Sequence, residues 1–336
     1  MRAVAIIAPP LLGDTIMITP HLSAFQAAGI SVYFLAPPEI CELVDRFLAS
    51  DIHKVVLPPE FFTMDKLSSR WLEQISTDIM NIEIEATFDH LGNQNAFELI
   101  KKLNCRSFGV SCVAAHPYTD IVARKQVEYW QFDARSASEC YADLYTLAGI
   151  HLTFDPPRFR VSTPTKQKST SILVNPGAGS QTKRWPLDNF IEVAERLAAT
   201  CDSQITFLFG PNESDLLRLV RSKTRFTAHD GTALSLPALA EFIAVHDLLI
   251  TNDTAVMHLG ASCGVSTVAI FTGGLHQPTK WFPYDLNRHA IFVGDQITPP
   301  NQPPDPYWAQ NISPSDIVAS ALRLHRLAEN RELERA

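Results

Sequence analysis

No stretch of this 336-residue chain reaches the ~18 consecutive apolar residues that a bilayer-spanning helix needs. The six cysteines (Cys41, Cys105, Cys112, Cys140, Cys201 and Cys263) form no C-x-x-C pair, and no His, Asp or Glu set has the spacing of metal ligands. A zinc site is therefore not expected, and scattered thiols fit a reducing cytoplasm. Cations are in short supply: 28 Lys and Arg face 36 Asp and Glu, a net charge of −8. The deficit sits in residues 1–150, with 11 cations against 18 anions. Nucleic acid, which needs a basic face, is not an expected partner. Two motifs are also missing: the G-x-G-x-x-G fingerprint and the Walker G-K-[ST] ending. The opening MRAVAIIAPPLLGD has a single Arg and no small-residue cleavage site, so it reads as a buried strand and not as a secretory leader.

What is present is an α/β rhythm. Hydrophobic residues make up 46% of the chain and charged ones 19%, as in ordinary globular proteins, and the length suits two domains. Residues 3–8, AVAIIA, form an apolar run of the kind buried on both faces of a parallel sheet. Helical periodicity from about Thr15 to Ala28 follows, closed by Gly29. Strands are expected at Ser31–Leu35, 53–57, Glu85–Phe88 and Ser107–Val110, with helices at 39–49, 66–80 and 93–103. Residues 155–170, DPPRFRVSTPTKQKST, have no apolar period and read as a linker. The rhythm then restarts, with strands at Ser171–Val174, Gln204–Phe209, Asp247–Thr251 and Thr267–Phe271. Helices are expected at Leu187–Ala199, Asp215–Arg221, Ala238–Val245 and Val256–Cys263, and a last one at Ser315–Leu333 after Pro314. The expected organisation is a Rossmann-like domain over 1–155, a linker over 156–170 and a second Rossmann-like domain over 171–314. The helix of 315–336 is expected to pack back on the first domain. Strands alternating with helices imply doubly wound parallel sheets, whose ligands bind beyond the carboxyl ends of the strands.

The polar clusters fall at those strand ends. After strand 171–174 come Gly177 and Gly179, which allow close backbone approach, then Lys183 and Arg184, which can neutralise a diphosphate. A glycine turn carrying two solvated cations is the plainer alternative. Glu213, in Gly210-Pro211-Asn212-Glu213, either accepts hydrogen bonds from ribose hydroxyls or places charge at a helix start. In Thr251-Asn252-Asp253-Thr254-Ala255-Val256-Met257-His258, free amides at 254–256 and the Thr254 hydroxyl can hold a phosphate. Asp253 stands where a helix cap belongs, and His258 is either a core histidine or a contact. Gly13-Asp14 follows the first strand in the same way, with Asp14 a cap or a general base toward an acceptor hydroxyl. His90 and Asn93 end a strand on the acceptor side. His276, Lys280 and Trp281 follow the last expected strand, Trp281 more as packing than as a contact.

In order along the chain these motifs resemble glycosyltransferase family 9, the heptosyltransferase-like GT-B enzymes. The resemblance rests on Gly13-Asp14 with Thr19-Pro20, on Pro176-Gly177-Ala178 through Lys183-Arg184-Trp185-Pro186, on Gly210-Pro211-Asn212-Glu213 and on Asn252 through Gly260. It covers nearly the whole chain. It implies a GT-B fold, two Rossmann-like domains facing a central crevice. It also implies an inverting, metal-independent transfer with no cofactor, in which the nucleotide sugar is a substrate and an ADP-linked donor is favoured over a UDP-linked one. By this resemblance Asp14 is the catalytic base and Lys183 holds the donor diphosphate. Glu213 contacts the ribose, while Asp253, Thr254 and His258 contact the donor sugar and phosphates. The acceptor would be a hydroxyl of a cell-surface glycan, lipopolysaccharide core or protein, and the enzyme would be cytoplasmic and peripheral to the inner membrane. Ala255 stands where members usually carry Gly, and Thr272-Gly273-Gly274-Leu275-His276 replaces a Gly-Pro-Thr run. An epimerase on the same fold would convert the donor by itself, and an inactive relative would bind it without turnover.

Overall fold

The computed structural model describes residues 2–9, 11–48, 51–63, 67–80, 82–110, 118–122, 135–161, 169–201, 203–272, 281, 288–293 and 312–333. The chain divides into two compact units, Met1–Pro157 and Arg158–Ala336. The first runs β1 (Ala3–Ile7), α1 (Leu12–Ala27), β2 (Ser31–Ala36), α2 (Pro38–Phe47), β3 (His53–Val56), α3 (Ser69–Met80), β4 (Ala86–Asp89), α4 (Gln94–Leu103), β5 (Arg106–Val110), β6 (Asp120–Val122) and α5 (Ala137–Leu147). The second runs β7 (Thr170–Asn175), α6 (Leu187–Thr200), β8 (Ser203–Phe209), α7 (Ser214–Lys223), β9 (Thr227–Asp230), α8 (Leu236–Ala244), β10 (Leu248–Asn252), α9 (Ala255–Ser262), β11 (Ser266–Phe271), β12 (His289–Val293) and α10 (Pro314–Leu333).

Among the described residues each unit holds one six-stranded sheet, ordered β3-β2-β1-β4-β5-β6 in the first and β12-β11-β10-β7-β8-β9 in the second. Every pairing is parallel. Both sheets have the same winding: the chain starts at a central strand, works to one edge, then returns to build the other half. The direction reverses between β1 and β4 and between β7 and β10. That reversal is where a doubly wound sheet opens a crevice for ligands.

Sequence explains the central strands. All five residues of β1 and of β10 are buried, because helices cover both faces of a parallel sheet. In the first unit Phe25, Phe88 and Tyr145 pack ring against ring, with Phe88 stacked on Phe108. In the second, Trp185, Phe190, Phe207 and Phe209 belong to one core cluster. Ile317, Val318, Ala321 and Leu324 of α10 join that same cluster, so the final helix spends its buried face on the second unit's core.

The Thr19-Pro20 pair has a mechanical explanation. Pro20 lies inside α1 and has no amide proton for the Ile16 carbonyl four residues back. The Thr19 hydroxyl donates to that carbonyl instead, at 2.7 Å. The helix therefore passes through a proline without an orphaned acceptor. Helix α1 also begins earlier than its periodicity predicts. Leu11 is the N-cap and makes no side-chain capping bond, which puts Gly13 and Asp14 inside the first turn. Asp14 is thus not the cap.

The elements that periodicity passes over are marginal ones. Strand β9, Thr-Ala-His-Asp, has no fully buried residue, and β6 spans only three residues. Helix α5 carries a signal that patterning overlooks: Ser136 and Glu139 form a reciprocal capping box.

Candidate functional site

In the second unit the polar residues singled out by sequence converge at the β7/β10 reversal. Past β7 the chain makes a loop through Gly177, a 3₁₀ turn at Gln181–Lys183, and the buried Trp185. The Lys183 ammonium reaches Asp253, just past β10, at 2.8 Å. This pair is largely enclosed, the side chains being 27% and 9% exposed. Arg184 points elsewhere. Its Nε and Nη2 donate to the Ala178 carbonyl at 3.0 and 2.8 Å, so its guanidinium closes the loop on itself.

Glu213 lies against the same loop. A Cβ built on Gly177 would coincide with the Glu213 carboxylate, so glycine is required for this approach. The carboxylate accepts the Gly210 amide at 2.7 Å. The turn carrying it passes through Asn212 at φ +64°, in the left-handed region that Asn tolerates. Glu213 is also the N-cap residue of α7, without a side-chain capping bond. Its position at a helix start and its proximity to the glycine loop therefore hold together.

Asp253 is not a cap. Thr254 occupies the N-cap of α9, and its side chain makes no capping bond. The Asp253 amide is spent on the Ile270 carbonyl of β11 at 3.0 Å. The amides of Ala255 and Val256 open the helix and have no acceptor within it, so they can donate to an anion. Ala255 is the first helical residue and is half-buried. His258 is buried on the same helix. Burial pushes its pKa down to about 4, with the Asp253 carboxylate opposing and the Lys183 ammonium reinforcing the shift. The ring is neutral at pH 7 and lies within electrostatic reach of the pair.

Four residues that the sequence left without a role complete this region. Asn252, fully buried, accepts the Trp185 amide at 3.1 Å and donates to the carbonyls of Pro176 and Gly177 at 2.9 and 3.1 Å. Thr251 donates to the Asn175 amide oxygen at 3.1 Å, and Asn175 donates to the Leu208 carbonyl at 3.0 Å. Thr272, past β11, donates to the Thr182 carbonyl at 2.6 Å. These contacts join residues 33 to 90 positions apart, which no local pattern reveals.

In the first unit the β1/β4 reversal holds Gly13 and Asp14 at the start of α1, with Asp14 half-buried. His90 follows β4 and its amide bonds to the Ile7 carbonyl at 3.2 Å. Its ring is buried, and Nε2 shares a hydrogen bond with the Tyr145 hydroxyl at 3.0 Å. His21 reaches the same hydroxyl at 3.1 Å and Ser138 at 3.1 Å. Burial pushes the His90 pKa down to about 3 and that of His21 well below the usual histidine range. Both rings are neutral, buried and hydrogen-bonded to the Tyr145 hydroxyl. Asn93 also makes bonds within the fold. Its side-chain oxygen caps α4 through the Ala96 amide at 2.9 Å, and its nitrogen donates to the Phe61 and Thr63 carbonyls at 2.7 and 3.2 Å. His276 and Lys280 lie outside the described residues. Trp281 packs against the small cluster of Met257, Ala269 and Phe271. Among the described residues no group of three or more His, Cys, Asp or Glu can hold a metal ion, and no helix is long and apolar enough to cross a membrane.

Residues 122–306 match the profile of glycosyltransferase family 9 (heptosyltransferase). A curated relative, lipooligosaccharide heptosyltransferase 2 of Campylobacter jejuni, is 34% identical over 113 residues, a match spanning 32% of this chain and 34% of that protein. The crystal structure of a family 9 glycosyl transferase from Veillonella parvula superposes with a TM-score of 0.78 at 18% identity, over 96% of this chain and 97% of that one. The ADP-heptose lipopolysaccharide heptosyltransferase II of E. coli superposes with a TM-score of 0.75 at 16% identity, over 99% and 100%. At these identities the structural likeness is one of fold, the GT-B fold with two doubly wound sheets.

Proposed function

The chain belongs to glycosyltransferase family 9, and from that premise we propose that its second unit binds a nucleotide-diphosphate sugar which the enzyme transfers to a hydroxyl acceptor. An ADP-heptose-type donor is the reading favoured by the E. coli structural neighbour, whose own name carries that substrate. The acceptor class is a cell-surface glycan, lipopolysaccharide core or protein, with the enzyme working at the inner face of the cytoplasmic membrane.

The observation that carries this reading is the placement of Lys183. Its ammonium is held 2.8 Å from Asp253, at the start of α9 and on the loop whose Gly177 meets Glu213. One cation, two opening helix amides and a buried carboxylate acceptor thus share one strand-end region. That set suits a diphosphate with a ribose beside it. As the bond to the sugar breaks, negative charge collects on the leaving diphosphate. Lys183 and the α9 amides would stabilise that charge without having to reorganise. Thr254 adds a hydroxyl, and Asp253 and His258 stand ready for the sugar. Asp14 of the first unit would take the acceptor's proton, and a single displacement would invert the anomeric centre.

A thermal-shift screen of ADP-, UDP- and GDP-sugars tests the donor assignment, since a ligand selective for the native state raises its stability. Stabilisation by an ADP-sugar above the others is expected. No shift with any of them would remove the reading.

A further inference from the structure

Resting on the donor reading above, we propose that Asn252 is the positioning residue that sets the geometry of the diphosphate loop, and that its side-chain amide, not its bulk, is what the donor depends on. Asn252 ends β10 and is fully buried. Its one side chain grips both ends of the loop. Nδ2 holds the entry through the Pro176 and Gly177 carbonyls, and Oδ1 holds the exit through the Trp185 amide. The span between these anchors, residues 178–184, carries Lys183. The next residue after Asn252 is Asp253, the Lys183 partner.

The consequences follow in order. The same Gly177 whose carbonyl Asn252 holds is the one whose Cβ space the Glu213 carboxylate occupies, so the grip of Asn252 fixes the residue that Glu213 packs against. Anchoring the Trp185 amide, beside a ring packed edge-on to Phe190 at 5.0 Å, fixes where Lys183 leaves the core. Thr272 supplies an outer tether at Thr182, and Arg184 ties the span's own ends together through the Ala178 carbonyl, while Asn252 fastens both ends to the end of β10. Both amide protons and the amide oxygen of Asn252 are used, so no other side chain of similar size satisfies all three bonds. Asn252→Asp retains the shape and an acceptor for Trp185. It replaces the donor with an oxygen that faces two carbonyls. Protonation of that carboxyl returns one donor, and burial raises the pH at which this happens.

The test uses full-length protein and ADP as the probe, with affinity measured calorimetrically between pH 5 and 8. For wild type, ADP binding is expected. Asn252→Asp is expected to bind at least tenfold more weakly at pH 8, with the deficit relative to wild type shrinking as pH falls. A residue needed only for folding would lower the melting temperature, itself recovering as pH falls, and would leave the ADP affinity of the folded protein equal to that of wild type at every pH. Asn252→Ser, in case the aspartate variant folds poorly, is read by hydrogen exchange: residues 178–185 should exchange faster while β7 and β8 stay protected. Equal ADP affinity for wild type and both variants, with unchanged loop exchange, overturns the role of Asn252 alone. Failure of wild type to bind ADP overturns the donor reading itself.

Discussion

Replacing Gly177 by alanine puts a methyl group where the Glu213 carboxylate lies. The two cannot coexist, and the carboxylate is the more movable partner. Moving it breaks its 2.7 Å bond from the Gly210 amide and takes a buried carboxylate from its place. Hydrogen bonds to charged groups contribute roughly 1.5–3 kcal/mol, so Gly177→Ala should destabilise the protein by about that amount. Glu213→Ala removes the obstacle. In that background Gly177→Ala should be close to neutral, or slightly stabilising because alanine restricts the unfolded chain, by roughly 0.4–1 kcal/mol. The φ of Gly177 is not in the left-handed region, so no backbone strain opposes this. The double-mutant cycle should therefore return a coupling energy of roughly 1–3 kcal/mol. Chemical denaturation of the four proteins, with ADP titrated into each, reads both stability and donor affinity. Additive effects on stability would refute the claim that this glycine exists to admit Glu213.

Other outcomes follow from the same geometry. Asn93→Ala should cost roughly 1 kcal/mol in a denaturation midpoint, the usual value of an N-cap, and leave the acceptor KM unchanged; a raised KM with intact stability would restore Asn93 to the acceptor side. His21, His90 and His258 all have folded pKa values depressed by burial, so below about pH 6.5 the unfolded chain gains protons that the folded one refuses. Stability should be flat near pH 7–8 and fall as pH drops, with His258 alone accounting for about 3 kcal/mol between its unfolded value and about 4. A urea midpoint unchanged from pH 8 to pH 4.5 would contradict this. Asp14→Asn should retain donor binding and lower turnover by roughly 10²–10⁴, while near-normal turnover would leave Asp14 as an ordinary first-turn residue.

The parts of the fold that were legible are those where burial speaks through composition. AVAIIA and the run ending in Thr251 read as strands because helices cover both their faces, leaving no polar alternation. Edge elements did not read so well: β9 has four residues, none of them fully buried, and β12 lies at the sheet's other edge. Gly13-Asp14 resembled a loop with a cap because glycine is poor in helices, yet both fit in the first turn of α1. The clusters at Lys183, Glu213 and Asp253 were visible as polar residues after apolar strands. Their arrangement was not. Asp253 looked like a cap and is an ion-pair partner, Arg184 looked like a second phosphate cation and braces its own loop, and the burial of His90 beside Tyr145 could not be read from its place at a strand end. Asn252 stood in the polar cluster after its strand, but its bonding role could not be read, since the bond it makes to Trp185 spans 67 residues.

The most direct test of the central claim is the affinity for ADP of the wild-type protein and of Lys183→Ala, measured by calorimetry at one salt concentration. Lys183 is the cation that the loop, the α9 start and Asp253 jointly place, and losing it removes a charge-assisted contact of roughly 1.5–3 kcal/mol, or roughly 10- to 150-fold in Kd. The account predicts binding by wild type and a loss in that range for the variant. Equal affinity in the two proteins would contradict it.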